Sequence, residues 1–291
     1  MSRTYFFVLC AFLSLSCQTK KEKKDDKPAS SIERERNVFF SHLKAPAEVA
    51  LLLHQTNVDF DVSLLNDPKN LIHYMSNEVK VASNLGIYLA DLNYCLAYKE
   101  SDHAAELFTV ARELSQAIGI EQRVLTFLKT RYSDNIAQND SVKIIIDNLF
   151  TEATAPLRGT DNENLVGIAM GAYEIENLHI LLGIVINDQK EKLTDKESIN
   201  LAPLFRLVLD QRQRVEIIYG FLKSITDLLD PNRNPNFPYY ANAFEELITI
   251  YKKIEVESRS DDPDGGLIKN ASLHELSEKV NVIRNKVINN P

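Results

Sequence analysis

Apolar residues recur every three or four positions along almost the whole of this chain, and the strict alternation of a half-buried strand is nearly absent. That periodicity restricts the fold to the all-α class. The expected form is a single-domain antiparallel multi-helix bundle of about nine helices over residues 31–291. Helices are predicted near 45–55, 70–98, 101–119, 121–132, 140–155, 162–185, 200–229, 239–256 and 273–288. Pro46 and Pro203 fall in first turns, where proline is tolerated, and Gly119 stands where a C-terminal cap is expected. The stretches "NDQKEKLTDKES" (187–198) and "SRSDDPDGG" (258–266) are predicted loops, and neither has the look of a domain linker.

Two helices carry apolar residues on more than one side. Over 70–98, one stripe is Met75, Val79, Ala82, Leu85, Leu89, Leu92 and Leu96. A second is Tyr74, Val81, Tyr88 and Cys95. Over 162–185, Leu165, Ile168, Ile175, Leu178, Leu182 and Val185 share a side. A helix apolar on two sides must be covered on both, so these two are expected at the centre. They also share Gly-x-Tyr-x-x-acid, as "GIYLAD" (86–91) and "GAYEIE" (171–176). A degenerate duplication of a helical hairpin is one reading of that match, although no 34-residue period emerges.

The segments "LLNDP", "NLGIYLADLNY" and "GAYEIENLHI" resemble a group of uncharacterised all-helical lipoproteins from Bacteroidota, in which Asn-Leu-Gly-x-Tyr-x-Ala-Asp-Leu stands in a central helix. The resemblance implies an all-α envelope lipoprotein and brings no activity with it.

Polar groups on these helices mark the one candidate site. Asp91 lies one turn from both Tyr88 and Cys95. Glu176 and His179, at i and i+3, share a stripe with the small residues Ala169, Ala172 and Gly183. An ionised carboxylate there requires a partner or a wet crevice. If the central helices pack together, Tyr88, Asp91, Tyr173, Glu176 and His179 converge. Such a cluster fits a buried hydrogen-bond network, a small-ligand pocket, a two-carboxylate hydrolytic site or a metal site. Ferritin-like metal sites use two Glu-x-x-His motifs, and this chain offers only Glu176–His179, so no metal and no cofactor is expected. "SDDPDGG" and "DPNRNP" fail as calcium loops, because Ala271 and Ala241 fall where the bidentate Glu is required. No nucleophile elbow, P-loop, zincin or dinucleotide fingerprint occurs. The run "DQRQR" (210–214) reads as a solvated or slightly bent segment.

The first 30 residues carry an address. Residues 1–16 have a basic start at Arg3 and an apolar run from Tyr5 to Leu15, the build of a signal peptide. Ser-Leu-Ser-Cys, ending at Cys17, resembles the lipobox of bacterial lipoproteins, which implies cleavage before Cys17 and acylation of its thiol. Leu15 stands one place later than in the commonest form. Gln18 to Ser30 is too polar to bury a core and is expected to be a disordered tether. Within it, "KKDDK" is similar to export signals of surface lipoproteins in Bacteroidota. With Cys10 removed and Cys17 acylated, Cys95 has no disulfide partner. No later segment is expected to span a bilayer. The protein is therefore expected in a bacterial cell envelope, held to the outer membrane by lipid and facing the periplasm or the surface. An envelope protein or small ligand would be its partner.

Charge and composition exclude other roles. Arg3 and the tether contribute +3 to a formal net charge of −8, so the body carries −11. Such a body repels phosphate backbones, and nucleic acid is not an expected partner. The absence of Trp argues against a carbohydrate-stacking platform.

Overall fold

The computed structural model describes residues 29–42, 49, 53, 58–120, 155–157, 160, 162–191, 202–228, 236–261 and 270–289. The leader, Cys17 and most of the tether lie outside these residues, as do the helix predicted over 121–132 and all but the last residue of that predicted over 140–155. Among the described residues the fold is all-α, with no strand. Its helices are α1 (Ala29–Ser41), α2 (Glu78–Tyr98), α3 (Ser101–Ala117), α4 (Glu163–Glu191), α5 (Ala202–Leu228), α6 (Asn236–Asp261) and α7 (Asn270–Asn289). Of the helix predicted over 45–55, Val49 and Leu53 are described; both are helical and buried.

The two helices predicted at the centre are there. α2 is buried without interruption from Val81 to Cys95, and α4 from Leu165 to Leu178. α4 packs against α2, α5 and α7. The window Glu163–Ile186 in α4 is long and apolar enough to cross a membrane by length and composition, contrary to the sequence expectation, with mean hydropathy 1.3. Within the fold 89% of that window is buried against the other helices.

α4 runs antiparallel to two of its neighbours, α7 and α5: Glu176 pairs with Arg284 of α7 while His179 meets Asn281. Gly167 meets Phe221 while Gly171 meets Ile218, so α4 and α5 run in opposite directions. Between α2 and α4 the contacts advance together. Gly86 abuts the backbone at Ala169 and Tyr173, Asp91 interacts with Glu176, and Leu64, beside the end of α2, reaches Gly183. The central pair is parallel.

The predicted long helix over 70–98 is two elements. Asp67 caps a 3₁₀ segment, Pro68–His73, and Asn77 then starts α2 in an extended conformation, its side chain accepting from the Lys80 N–H. Met75 is consequently off the helix and 44% exposed, not part of a core stripe. Residues 58–77, here termed the strap, run back along α2. Phe60 stacks on Tyr94 at 5.0 Å, the Asp61 N–H donates to the Tyr94 hydroxyl at 3.0 Å, and Leu64 is buried.

Three other boundaries differ from expectation. α1 begins at Ala29, inside the predicted tether, and seats Phe39 on Phe221 of α5 with ring centroids 3.9 Å apart. α4 and α6 extend to Glu191 and Asp261, into both predicted loops. Gly119 adopts φ +77°, and with it α3 closes as expected.

The shared Gly-x-Tyr-x-x-acid pattern does not mark equivalent surroundings. Gly86 faces the α4 backbone, whereas Gly171 faces the Phe244 ring. The two acids meet, and Gly86 of the first copy lies against the Tyr173 backbone of the second.

Candidate functional site

Asp91, Glu176 and His179 come together at one level of the bundle, joined by a residue the sequence did not single out. Arg284 on α7 donates from Nε to Glu176 Oε2 at 2.6 Å and from its terminal nitrogen to Oε1 at 2.7 Å. This two-pronged fit suits the planar guanidinium, and the Glu176 side chain is completely buried. Burial alone would pull the Arg284 pKa down, but the adjacent Glu176 carboxylate outweighs it and the net direction is up.

The strap closes the site. The Asn66 N–H donates to Asp91 Oδ2 at 3.0 Å, and Arg284 also donates to the Leu64 carbonyl at 3.4 Å. Asn66 is itself held, donating to the Tyr74 hydroxyl and accepting from Asn70, each at 3.2 Å. Asp91 is fully buried, no donor among the described residues reaches its Oδ1, and its carboxyl group interacts with that of Glu176. Burial first, and then Glu176, push the Asp91 carboxyl well above the usual carboxylate range; Arg284 and the Asn66 amide pull it down and do not win. Asp91, buried beside the two-pronged Glu176–Arg284 contact, is thus favoured in its protonated form.

His179 makes a second rung between α4 and α7. Its Nδ1 lies 2.7 Å from Asn281 Oδ1, one helical turn from the Glu176–Arg284 pair. Burial lowers its pKa, so the imidazole is neutral at physiological pH.

The tyrosines divide. Tyr88 borders the acids, and its hydroxyl donates to the Asp67 carbonyl at 2.8 Å, pinning the strap a second time. Tyr173 belongs to a separate layer, where its hydroxyl accepts from Asn93 Nδ2 at 2.6 Å. Burial pushes its pKa up to about 12. The expected five-residue convergence is thus four residues, with Tyr173 outside it because its ring points across α2 towards Asn93.

No family model, curated protein or solved structure matches this chain.

Among the described residues, no group of three or more His, Cys, Asp and Glu side chains is placed to hold a metal ion. The chemistry of the cluster follows from its composition: both Glu176 oxygens are taken by Arg284, and the strap separates Asp91 from solvent. A second ion pair was also not legible in the sequence. Glu174, wholly buried, accepts from Arg214 Nε at 2.9 Å. Arg214 ends the run "DQRQR", in which Gln211 is also buried, so this segment faces the core in part rather than solvent. Cys95 is a buried free thiol, and burial raises its pKa, leaving no thiolate for chemistry.

An open concavity lies against the strap. It is a groove of about 270 Å³ between Val62–Pro68 of the strap and the first turns of α3, where His103, Glu106 and Leu107 line it. Asn66 belongs to both places. It is among the residues lining the groove, and its backbone N–H bonds the buried Asp91.

Proposed function

We propose that this chain is an envelope lipoprotein, acylated at Cys17, whose helical body binds a partner protein or small ligand without turning it over. The observation that supports this most is the contrast between two places. The carboxyl groups Asp91 and Glu176 are sealed and matched inside the fold, while the exposed groove sets Asp67, His103 and Glu106 beside apolar side chains and has no hydroxyl or thiol nucleophile among its lining residues. A ligand fitting that groove would lay an apolar part against Val62, Leu65, Pro68 and Leu107. It would present hydrogen-bond donors or positive charge to Asp67 and Glu106. The leader and tether supply the address, in keeping with the resemblance to helical lipoproteins of Bacteroidota.

The alternative, a metal-binding or hydrolytic bundle protein using Asp91, Glu176 and His179, requires Arg284 to release Glu176 and water to enter beneath the strap. Stoichiometric iron, manganese or zinc in protein purified without a metal-binding tag would favour it.

The anchoring is tested by fractionation: wild-type protein should partition with membranes and Cys17→Ala should leave them. Retention of the variant would refute the lipid anchor.

A further inference from the structure

The buried cluster contains two carboxyl groups and one guanidinium, and its charge balances only if one carboxyl keeps its proton. The strap is the element fastened to it. The Asn66 N–H bonds Asp91, the Leu64 carbonyl takes a bond from Arg284, and the Asp67 carbonyl takes one from Tyr88. We propose that the strap is a proton-dependent latch: one proton held between Asp91 and Glu176 keeps residues 58–77 closed on the core, and its loss opens them together with the groove wall they form.

The groups facing Asp91 define what the proton's departure does. From α4 these are Glu176 and the neutral His179; from α7, Arg284; from the strap, Tyr74 and the Asn66 amide; from α2 itself, Tyr88 and Cys95. Tyr74, Tyr88 and Cys95 are each raised by burial and remain neutral, and Arg284 is the one cation of the set. When hydroxide removes the Asp91 proton, two adjacent carboxylates share that cation in a dry site. Relief requires water, and water can enter only where an element lifts.

Of the elements around the site, the strap is the weakest. It is built of two short 3₁₀ turns, and Val62 and Ile72 are 52% and 78% exposed. α2 and α4, by contrast, are buried along the whole contact. The strap therefore yields before the helices separate. The same segment supplies Val62, Leu65, Asn66, Asp67 and Pro68 to the groove, so a ligand seated there would be gripped at lower pH and released at higher pH. This last step rests on the binding reading above; the latch itself does not.

Amide hydrogen exchange of the full chain, followed by peptide mass spectrometry across a pH series, tests the latch with no ligand or membrane present. Hydroxide catalysis alone raises exchange about tenfold per pH unit. Opening linked to the loss of one proton adds about another tenfold per unit in strap peptides, and none in α4 peptides. Asp91→Asn keeps the geometry of a protonated acid, accepting from Asn66 while donating to Glu176, and should abolish the additional tenfold. Tyr88→Phe removes the strap fastenings at the Asp67 carbonyl and the Tyr74 hydroxyl and leaves both carboxyl groups in place. It should speed strap exchange by a similar factor at every pH while leaving the additional pH dependence in place, so it carries the test if Asp91→Asn does not fold. Strap exchange with the ordinary slope in wild type would overturn the proposal. So would an additional slope that persists in Asp91→Asn, or strap and α4 opening in step.

Discussion

Gly86→Ala should destabilise this protein even though alanine is the better helix former. In an exposed helix the exchange would gain about 1 kcal/mol. Here a Cβ at position 86 would overlap the carbonyl oxygen of Ala169 and lie 2.9 Å from both the Ala169 carbonyl carbon and the Tyr173 nitrogen. These are backbone atoms of a buried helix, so no side chain can rotate away. α2 and α4 would have to separate along their seam, and a gap of 0.5–1 Å forfeits roughly a quarter to a half of each dispersion contact across it. Overpacking of this kind costs about 3 kcal/mol, the upper part of its usual range. Less the propensity gain, the net loss is about 2 kcal/mol. Urea unfolding followed by far-UV circular dichroism measures it, with an unchanged m-value showing that stability alone has moved. Gly171→Ala is the internal comparison, because its Cβ would meet the Phe244 ring at 3.3 Å and a ring can shift; its effect should stay within about 1 kcal/mol. A Gly86→Ala protein as stable as wild type, or more so, would refute the close parallel packing of α2 on α4.

The charge cluster gives two further expectations. Arg284→Met leaves Glu176 buried without its cation and should cost about 3–5 kcal/mol, and a loss below about 1 kcal/mol in urea unfolding would contradict the pairing. The raised pKa of Asp91 has a definite sign: its favourable contribution is complete below the unfolded carboxyl value near 3.9 and declines as pH rises towards the folded value, by about 1.4 kcal/mol per pH unit. Stability of wild type should therefore fall over this window relative to Asp91→Asn; parallel stability–pH curves for the two would refute the assignment.

How much of this was legible depended on whether the signal was local. The burial of α2 and α4 was legible because apolar residues on two sides of one helix leave no other solution. Asp91, Glu176 and His179 were legible as polar groups in apolar stripes. Their partner was not: Arg284 stands 108 positions beyond Glu176, in a helix whose other basic residues read as surface. Glu174 and Arg214 were hidden for the same reason. The strap was missed because Tyr74, Val81, Tyr88 and Cys95 keep helical phase across a true break, and the contrary signals, Pro68 and the cap at Asn77, are single residues. α1 was missed because Glu33 to Arg36 are all charged, and the aromatic pair that docks it, Phe39 and Phe40, comes in its last turn. The parallel direction of the central pair had no local signal, since a helix is equally amphipathic read either way.

That parallel pairing gives the buried charges a physical reason to exist. Well-packed apolar side chains in their place would be at least as stabilising, so stability does not account for Asp91, Glu176 and Arg284. Register does. α2 and α4 are not joined by a short loop that would fix their relative height, and a slide of one turn, about 5.4 Å, would still set apolar residues against apolar residues along most of the seam. It would also carry Glu176 out of reach of Arg284 and Asp91, leaving uncompensated charge in a dry site. Gly86 opposes the same slide sterically, because any other residue of α2 brought against Ala169 would present a Cβ. The cluster thus fixes α2, α4, α7 and the strap at one height, and a proton shared within it is the one part of that arrangement that solution conditions can remove.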